Sequence, residues 1–297
     1  MTLGLDLSDG TVRAVVVNQQ AQVLGRGDAV PGNGAVSLAV SGAIQRAVAA
    51  AGVEIRAAAV AMAHPGDLVP PELAPVLRDL LPDVAAPLVV NAGLAGAVAE
   101  QWCGAARGLS TIIALSTGDH VTSGVIIQGK PWTGANGLAG SVAWLSINPV
   151  EREDYRRLGG LEAEVSSPGI VRRIVWRIKS GDESTLVQQH RGDLSRVTAE
   201  QVFQAARAGD GVSISVIKDT AKYLGMALSN VTVILDPEMI VLGGMIASSG
   251  DMLLESIRLE CARRLGPAQA ERLRIVRSPL GNDAAAIGAA RLAASAP

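Results

Sequence analysis

Aromatic side chains are scarce in this sequence. They make up 2% of 297 residues, and Phe203 is the single phenylalanine. A core with so few rings has to be filled by Ala, Val, Leu and Ile. Hydrophobic residues at 48%, against 18% charged, supply enough of them to exclude a disordered chain. Cysteine is scarce too. Cys103 and Cys261 lie far apart in helical patterns, which excludes a disulfide framework and suits buried thiols of a cytoplasmic protein. No Lys or Arg block dominates any segment, the pairs Arg172/Arg173 and Arg263/Arg264 read as helix surface, and the net charge is −2. Direct nucleic-acid binding through this chain is therefore not expected. Met1 to Asp6 lacks the basic start and apolar core of a signal peptide, and no uninterrupted apolar run is long enough to span a bilayer. A cytoplasmic location without a membrane partner follows as the expectation.

What is present is one pattern used twice. Leu3 to Leu7 reads as a strand, Ser8 to Thr11 as a polar turn, Val12 to Asn18 as a second strand, and a third begins at Val23. Val36 to Ala51 has helical spacing and ends at Gly52, a glycine suited to a C-cap. A strand over Ala57 to Ala63 is closed by His64, Pro65 and Gly66, and a helix runs from Pro70/Pro71 to Leu80. With no second His or Cys near it in the sequence, His64 reads as a loop residue rather than a ligand. Leu88 to Val90 is an apolar strand ending at Asn91, followed by a small-residue helix to Glu100. The opening then repeats: a strand over Leu109 to Leu115, a turn over Gly118 to Gly124, a strand over Val125 to Gln128, and a turn at Gly129/Lys130. This is an internal duplication of topology. It predicts two α/β domains, 1–108 completed by a final helix over 283–297, and 109–282, with ligands bound between them.

The later part of the second half is mostly helical. A helix over Leu161 to Lys179 is expected to break at Pro168/Gly169. Thr198 with Gln201 forms a capping-box pattern. A long helix over Val212 to Asn230 carries Lys218, Asp219 and Lys222 on a solvated face. Met239 to Leu242 is a buried strand followed at once by Gly243/Gly244, where backbone can approach a flat ligand closely. A helix from Asp251 to Leu265, a short strand at Ile275 and an Ala-rich helix over Asp283 to Ala293 finish the chain.

Several of these stretches carry a resemblance: Val202 to Ala206, Gly209/Asp210, Tyr223 to Gly225, Asp236 to Gly244, and Ala286 to Ala289. Together they resemble the ROK family, which joins sugar kinases, sugar-responsive repressors and members of unassigned role. The resemblance implies a two-domain, actin-like and hexokinase-like fold, a ribonuclease-H-like unit duplicated about an interdomain cleft. It also implies a homodimer or a larger assembly.

The family's functional motifs are altered here. Its first phosphate loop, Asp-x-Gly-Gly-Thr, keeps Asp6 and Gly10 but gains a negative Asp9. Its second keeps Gly118 and Gly124 while His120 and Thr122 replace inner glycines, and the adenosine-side pair Gly243/Gly244 is intact. These six, Asp6, Gly10, Gly118, Gly124, Gly243 and Gly244, are the nucleotide-binding candidates. On the sugar side the resemblance points to Asn91, Gly137, Ser141, Trp144 and Glu162. Ala92 stands where the family has its catalytic Asp, Ser141 where it has Glu, and Trp144 where it has His. The zinc knot aligns on Glu153 to Glu162, with Glu153, Tyr155 and Gly160 in place of its cysteines, so no zinc is expected.

A sugar kinase must deprotonate a hydroxyl as the phosphoryl group arrives. Loss of a general base costs about 10²–10⁴ in rate. His120 and Asp119 do not match the family's sugar side and are not expected to stand in as base. The implied function is a non-catalytic, ligand-sensing or regulatory domain with weak sugar binding and no cofactor. The alternatives are an active sugar kinase with altered residues, which would need ATP and Mg²⁺, and a degenerate subunit of a heteromer. Regulators of the family carry a winged helix ahead of this fold. None is expected within a chain whose first strand starts at Leu3, which has either lost it or is part of a longer product.

Overall fold

A computed structural model describes residues 1–32, 36–64, 66–84 and 86–295. Pro65 and the last two positions of the expected final helix, 296–297, lie outside the described residues. The first half contains β1 (Thr2–Asp6), β2 (Val12–Val17), β3 (Val23–Ala29), α1 (Val36–Ala51), β4 (Ala57–Met62), α2 (Leu73–Leu80), β5 (Leu88–Asn91) and α3 (Ala92–Cys103). The second half opens with β6 (Ile112–Thr117), β7 (Val121–Ile127) and β8 (Lys130–Trp132), followed by α4 (Glu153–Leu158), α5 (Gly160–Val165), α6 (Ser167–Lys179), α7 (Thr185–Gln189), α8 (Ala199–Arg207) and α9 (Gly211–Leu235). It closes with β9 (Met239–Gly244), α10 (Met245–Ser248), α11 (Gly250–Ala262), α12 (Pro267–Arg272), β10 (Ile275–Arg277) and α13 (Ala284–Ser295).

The two sheets have the same topology. Strand order is β3-β2-β1-β4-β5 in one and, read in the matching direction, β8-β7-β6-β9-β10 in the other. In each, the first strand pairs antiparallel with the second and parallel with the fourth. The duplication expected from the sequence is therefore present in the hydrogen-bonded ladders, and the two halves form a two-domain α/β fold of the actin-like kind.

Alternation along β1 explains how the final helix joins the first half. Leu3 and Leu5 point into an aliphatic core with Val40 and Ile44 of α1. Gly4 points the other way, where a Cβ would strike the carbonyl of Ala286. Gly288 likewise lies against the Ala95 carbonyl of α3. Only small residues allow helices and sheet to approach this closely. The layer between them is a cluster of alanines, Ala59, Ala61, Ala92, Ala95, Ala289 and Ala293. The second half is filled differently, by larger side chains such as Ile113, Leu161, Ile170, Phe203 and Leu224.

Several expected boundaries need correction. Strand β6 starts at Ile112 rather than Leu109 and includes Thr117. The turn after it covers only Gly118, Asp119 and His120. Val121 to Gly124 belong to β7, where Val121 pairs with Thr117 and Gly124 with Ala114. The β-branched pair Val121/Thr122 outweighs the turn signals around it. Helix α2 begins at Leu73, after the two prolines rather than on them. The break between α5 and α6 falls at Ser166, whose side chain accepts the Gly169 N–H as an N-cap. Pro168 sits in the first turn of α6, where its missing N–H costs nothing. Helix α9 continues past Asn230 to Leu235 and stops at Asp236 with φ 44°. Cys261 is buried as expected, whereas Cys103 is half-buried. No helix among the described residues is long and apolar enough to cross a membrane.

Candidate functional site

The two first turns, Ser8 to Gly10 and Gly118 to His120, meet in a cleft between the halves. Its wall includes Asp6, Asp9, Gly118, His120, Gly243 and Gly244. The cleft is about half open to solvent, and the space left for water within it is about 60 Å³. Asp6 is buried, and its Oδ1 accepts the N–H of Ser8 at 2.9 Å and its hydroxyl at 2.6 Å. Burial pushes the Asp6 carboxyl above its usual range, against the pull of those hydrogen bonds. Asp6 thus shapes its own turn.

The turns also clasp one another. Asp9 Oδ1 accepts the N–H of Asp119 at 2.7 Å. The Asp119 carboxyl takes a backbone hydrogen bond from Gly10. Each glycine is packed by the opposite turn's acid: a Cβ on Gly118 would lie 2.5 Å from Asp9 Oδ2, and one on Gly10 would lie 2.7 Å from Asp119 Oδ2. Backbone N–H groups of this kind bind phosphate in other proteins. Here they hold carboxylates of the chain itself. Burial, then the charge of Asp9, raises the Asp119 carboxyl. The nearby cation, Arg13, is shared with Asp28 at 3.7 Å. At ~4 Å, like unit charges repel by about 1 kcal/mol in water and more in a dry cleft. These residues do not fit a nucleotide's phosphate tail.

The surviving glycines have structural work of their own. Gly244 has φ 61°, and a Cβ there would strike the carbonyl of Thr117. Gly243 pairs with Ser116 in the sheet. Gly124 is a strand residue that lets β7 pack directly on Gly93 and Leu94 of α3, so it is no part of the turn.

On the sugar side, Asn91 ends β5 and caps α3. Its Oδ1 accepts the Leu94 N–H at 3.0 Å, and its Nδ2 donates to the Ala63 carbonyl at 3.1 Å. An Asn at this place satisfies an orphan helix donor. Ala92 beside it is buried in the alanine layer under α13. A methyl fits there, and it can accept no proton. The space beside Asn91, walled by His64, Ser141 and Trp144 among others, is about 10 Å³, room for about one water. Trp144 lines it while remaining 50% exposed. Ser141 is brought here, and its buried Oγ has no hydrogen-bond partner among the described residues. Gly137 is not: it lies in an exposed loop with φ 74° and open space around it.

Glu162 is 1% exposed, and each of its carboxylate oxygens has one partner. Its Oε2 accepts the Val121 N–H at 2.8 Å, and its Oε1 lies 3.2 Å from His120 Nδ1. The hydrogen bond to Glu162 raises the His120 imidazole above its ordinary value, against burial. His120 thus lines the cleft with the phosphate turns and also reaches Glu162, one of the sugar-side candidates. His64 meets it edge-to-face, with ring centroids 4.9 Å apart. Neither pairing was readable in the sequence, because the three residues come from separate turns and a helix far apart in the chain.

The segment aligned with the zinc knot forms α4 and the start of α5. Tyr155, at a cysteine position, donates its hydroxyl to Glu164. Glu164 is buried and also meets Arg152 at 3.3 Å, Arg172 at 3.8 Å and Arg173 at 3.5 Å. Burial, then this carboxylate, pushes the Tyr155 phenol up to about 12. Glu153, Tyr155, Gly160 and Trp144 offer no thiolate or imidazole, so these positions do not fit the family's zinc. An ion-pair cluster holds the segment instead.

Known proteins of both kinds are similar to this chain. A glucokinase of Halalkalibacterium halodurans is 32% identical over 203 residues, 68% of this chain and 61% of that one. A xylose repressor of Caldicellulosiruptor bescii is 31% identical over 201 residues, 67% of this chain and 49% of that one. The matched part thus spans about three-fifths of the glucokinase and half of the repressor. The ROK-family glucokinase of Streptomyces griseus, solved with glucose and AMPPNP, superposes with a TM-score of 0.82 at 23% identity, covering 99% of each chain. The model of the ROK family matches residues 2–296, and the chain belongs to that family.

Proposed function

We propose that this chain is a non-catalytic ROK domain of the cytoplasm with a ligand-sensing or regulatory role. The observation that carries the reading is the pairing of Ala92 with the clasped turns. A methyl is packed where a proton acceptor is needed, and the chain's own carboxylates sit on the backbone donors that a phosphate tail would use. Similarity to repressors as well as glucokinases supports the regulatory side. Asn91 and Glu162 can still offer spare lone pairs to a sugar hydroxyl. Each such bond is worth a net ~0.5–1.5 kcal/mol, so sugar affinity is expected to be weak.

One observation favours an active, ATP- and Mg²⁺-dependent sugar kinase as the second reading. His120 paired with Glu162 is a histidine–carboxylate dyad, an arrangement suited to a general base. Coupled ADP release over a panel of hexoses and amino sugars separates the two. The expected result is no turnover above the protein-free rate. Turnover that disappears in Asn91→Ala contradicts the non-catalytic reading, and turnover that disappears in His120→Gln establishes the dyad as its base.

A further inference from the structure

Between the two halves, three side chains from separate segments converge. His64 follows β4 in the first half, His120 ends the β6–β7 turn, and Glu162 lies in the first turn of α5. A ring nitrogen from each histidine and a carboxylate oxygen all lie within 4.8 Å of one another. We infer that His64, His120 and Glu162 form a binding site for a divalent transition-metal ion, zinc before others, that bridges the two halves across the cleft. The inference does not rest on the non-catalytic reading.

The geometry is close to what such an ion needs. Zinc takes imidazole nitrogen at about 2.0–2.1 Å and carboxylate oxygen at about 2.0–2.2 Å in tetrahedral sites, which sets two ligands roughly 3.3 Å apart. His120 Nδ1 and Glu162 Oε1 already stand 3.2 Å apart. Only the His64 ring has to swing inward, by up to ~1.5 Å, to complete the set. Its neighbour in the way is the His120 ring itself, met edge-on.

The surroundings favour a cation. The Val121 N–H holds the second oxygen of Glu162 at 2.8 Å and so orients the first, as outer-shell partners do in metal sites. The His64 backbone N–H is fixed by Asp67 Oδ2 at 2.8 Å. Asp9 and Asp119 add negative potential next to His120. Two imidazoles and one carboxylate leave an open fourth position, the ligand set of hydrolytic zinc centres and of mononuclear iron sites. Mg²⁺ prefers oxygen donors and water, and is expected to be excluded. The family's knot positions, Glu153, Tyr155 and Gly160, play no part.

The test uses chelator-stripped protein of the full chain. Competition against a chromophoric chelator measures Zn²⁺ binding, and Co²⁺ serves as a spectroscopic probe. One ion per chain is expected, with a visible Co²⁺ band typical of four or five ligands and no competition from millimolar Mg²⁺. His64→Gln and His120→Gln should each lower Zn²⁺ affinity at least tenfold, since even outer-shell losses cost 10–100-fold. His64→Gln changes a half-buried loop side chain, so circular dichroism matching the parent keeps the comparison valid if Glu162→Gln fails to fold. Absence of stoichiometric binding, or binding unchanged in both histidine variants, overturns the inference.

Discussion

Two regions of this molecule depart from the family motifs they align with, and they are filled in different ways. Where the zinc knot aligns, charged and polar side chains hold the segment. Tyr155, three arginines and Glu164 tie α4, α5 and α6 together much as a bound ion would. At the phosphate turns no such scaffold is built. Asp9 and Asp119 satisfy the backbone donors and draw the turns together. The first region substitutes one scaffold for another. The second substitutes part of the protein for a ligand. Buried ionic clusters are sensitive to the loss of any member, whereas exposed clasps contribute little to stability. The two regions should therefore respond oppositely to mutation.

The largest effect should come from Glu164→Ala. It leaves three guanidinium groups facing an empty carboxylate site, with Arg173 already pushed down by burial. Breaking such a buried cluster costs about 3–5 kcal/mol, read as a lower urea midpoint. A loss below ~1 kcal/mol would mean the cluster does not replace a structural metal. A yardstick on the same core is Asp210, the N-cap of α9, which accepts the N–H groups of Ser213 and Thr185 at 2.8 and 2.7 Å. Burial raises its carboxyl, but these hydrogen bonds outweigh it and hold the pKa at about 2, against 3.8 ordinarily. A depressed acid stabilises fully above its unfolded value and loses that contribution as pH falls through the folded one. Asp210→Asn should thus cost about 2 kcal/mol at pH 7, shrinking steadily below pH 4. A deficit independent of pH would place the effect in packing rather than charge. The smallest stability change is expected for Asp9→Asn with Asp119→Asn. Both side chains are exposed, so melting should shift by less than ~0.5 kcal/mol. Anion affinity in the cleft should nevertheless rise.

Much of the fold was legible because local signals agreed with tertiary demand. Val36 to Ala51 forms the expected helix, and Thr198 and Gln201 make the reciprocal capping box. Lys218, Asp219 and Lys222 face solvent as their spacing on α9 implied. Two of the differences share a cause. At Gly118 to Gly124 and at Pro168, turn-forming residue types suggest breaks where sheet pairing or a helix first turn accommodates them. The missing acid at position 92 could be seen by comparison with the family motif. What the methyl does instead could not, because the alanine layer is assembled from β4, α3 and α13. The His64, His120 and Glu162 cluster was hidden for the same reason. A histidine with no neighbour in sequence can have two in space.

The most direct measurement is a calorimetric titration of Mg²⁺·AMPPNP into the unaltered protein, repeated with the Asp9→Asn, Asp119→Asn variant. With the turns occupied by their own carboxylates, the unaltered chain should show no saturable binding up to millimolar nucleotide, and the variant should show weak binding. Micromolar affinity in the unaltered chain would contradict the reading of these two acids as occupants of the phosphate's place.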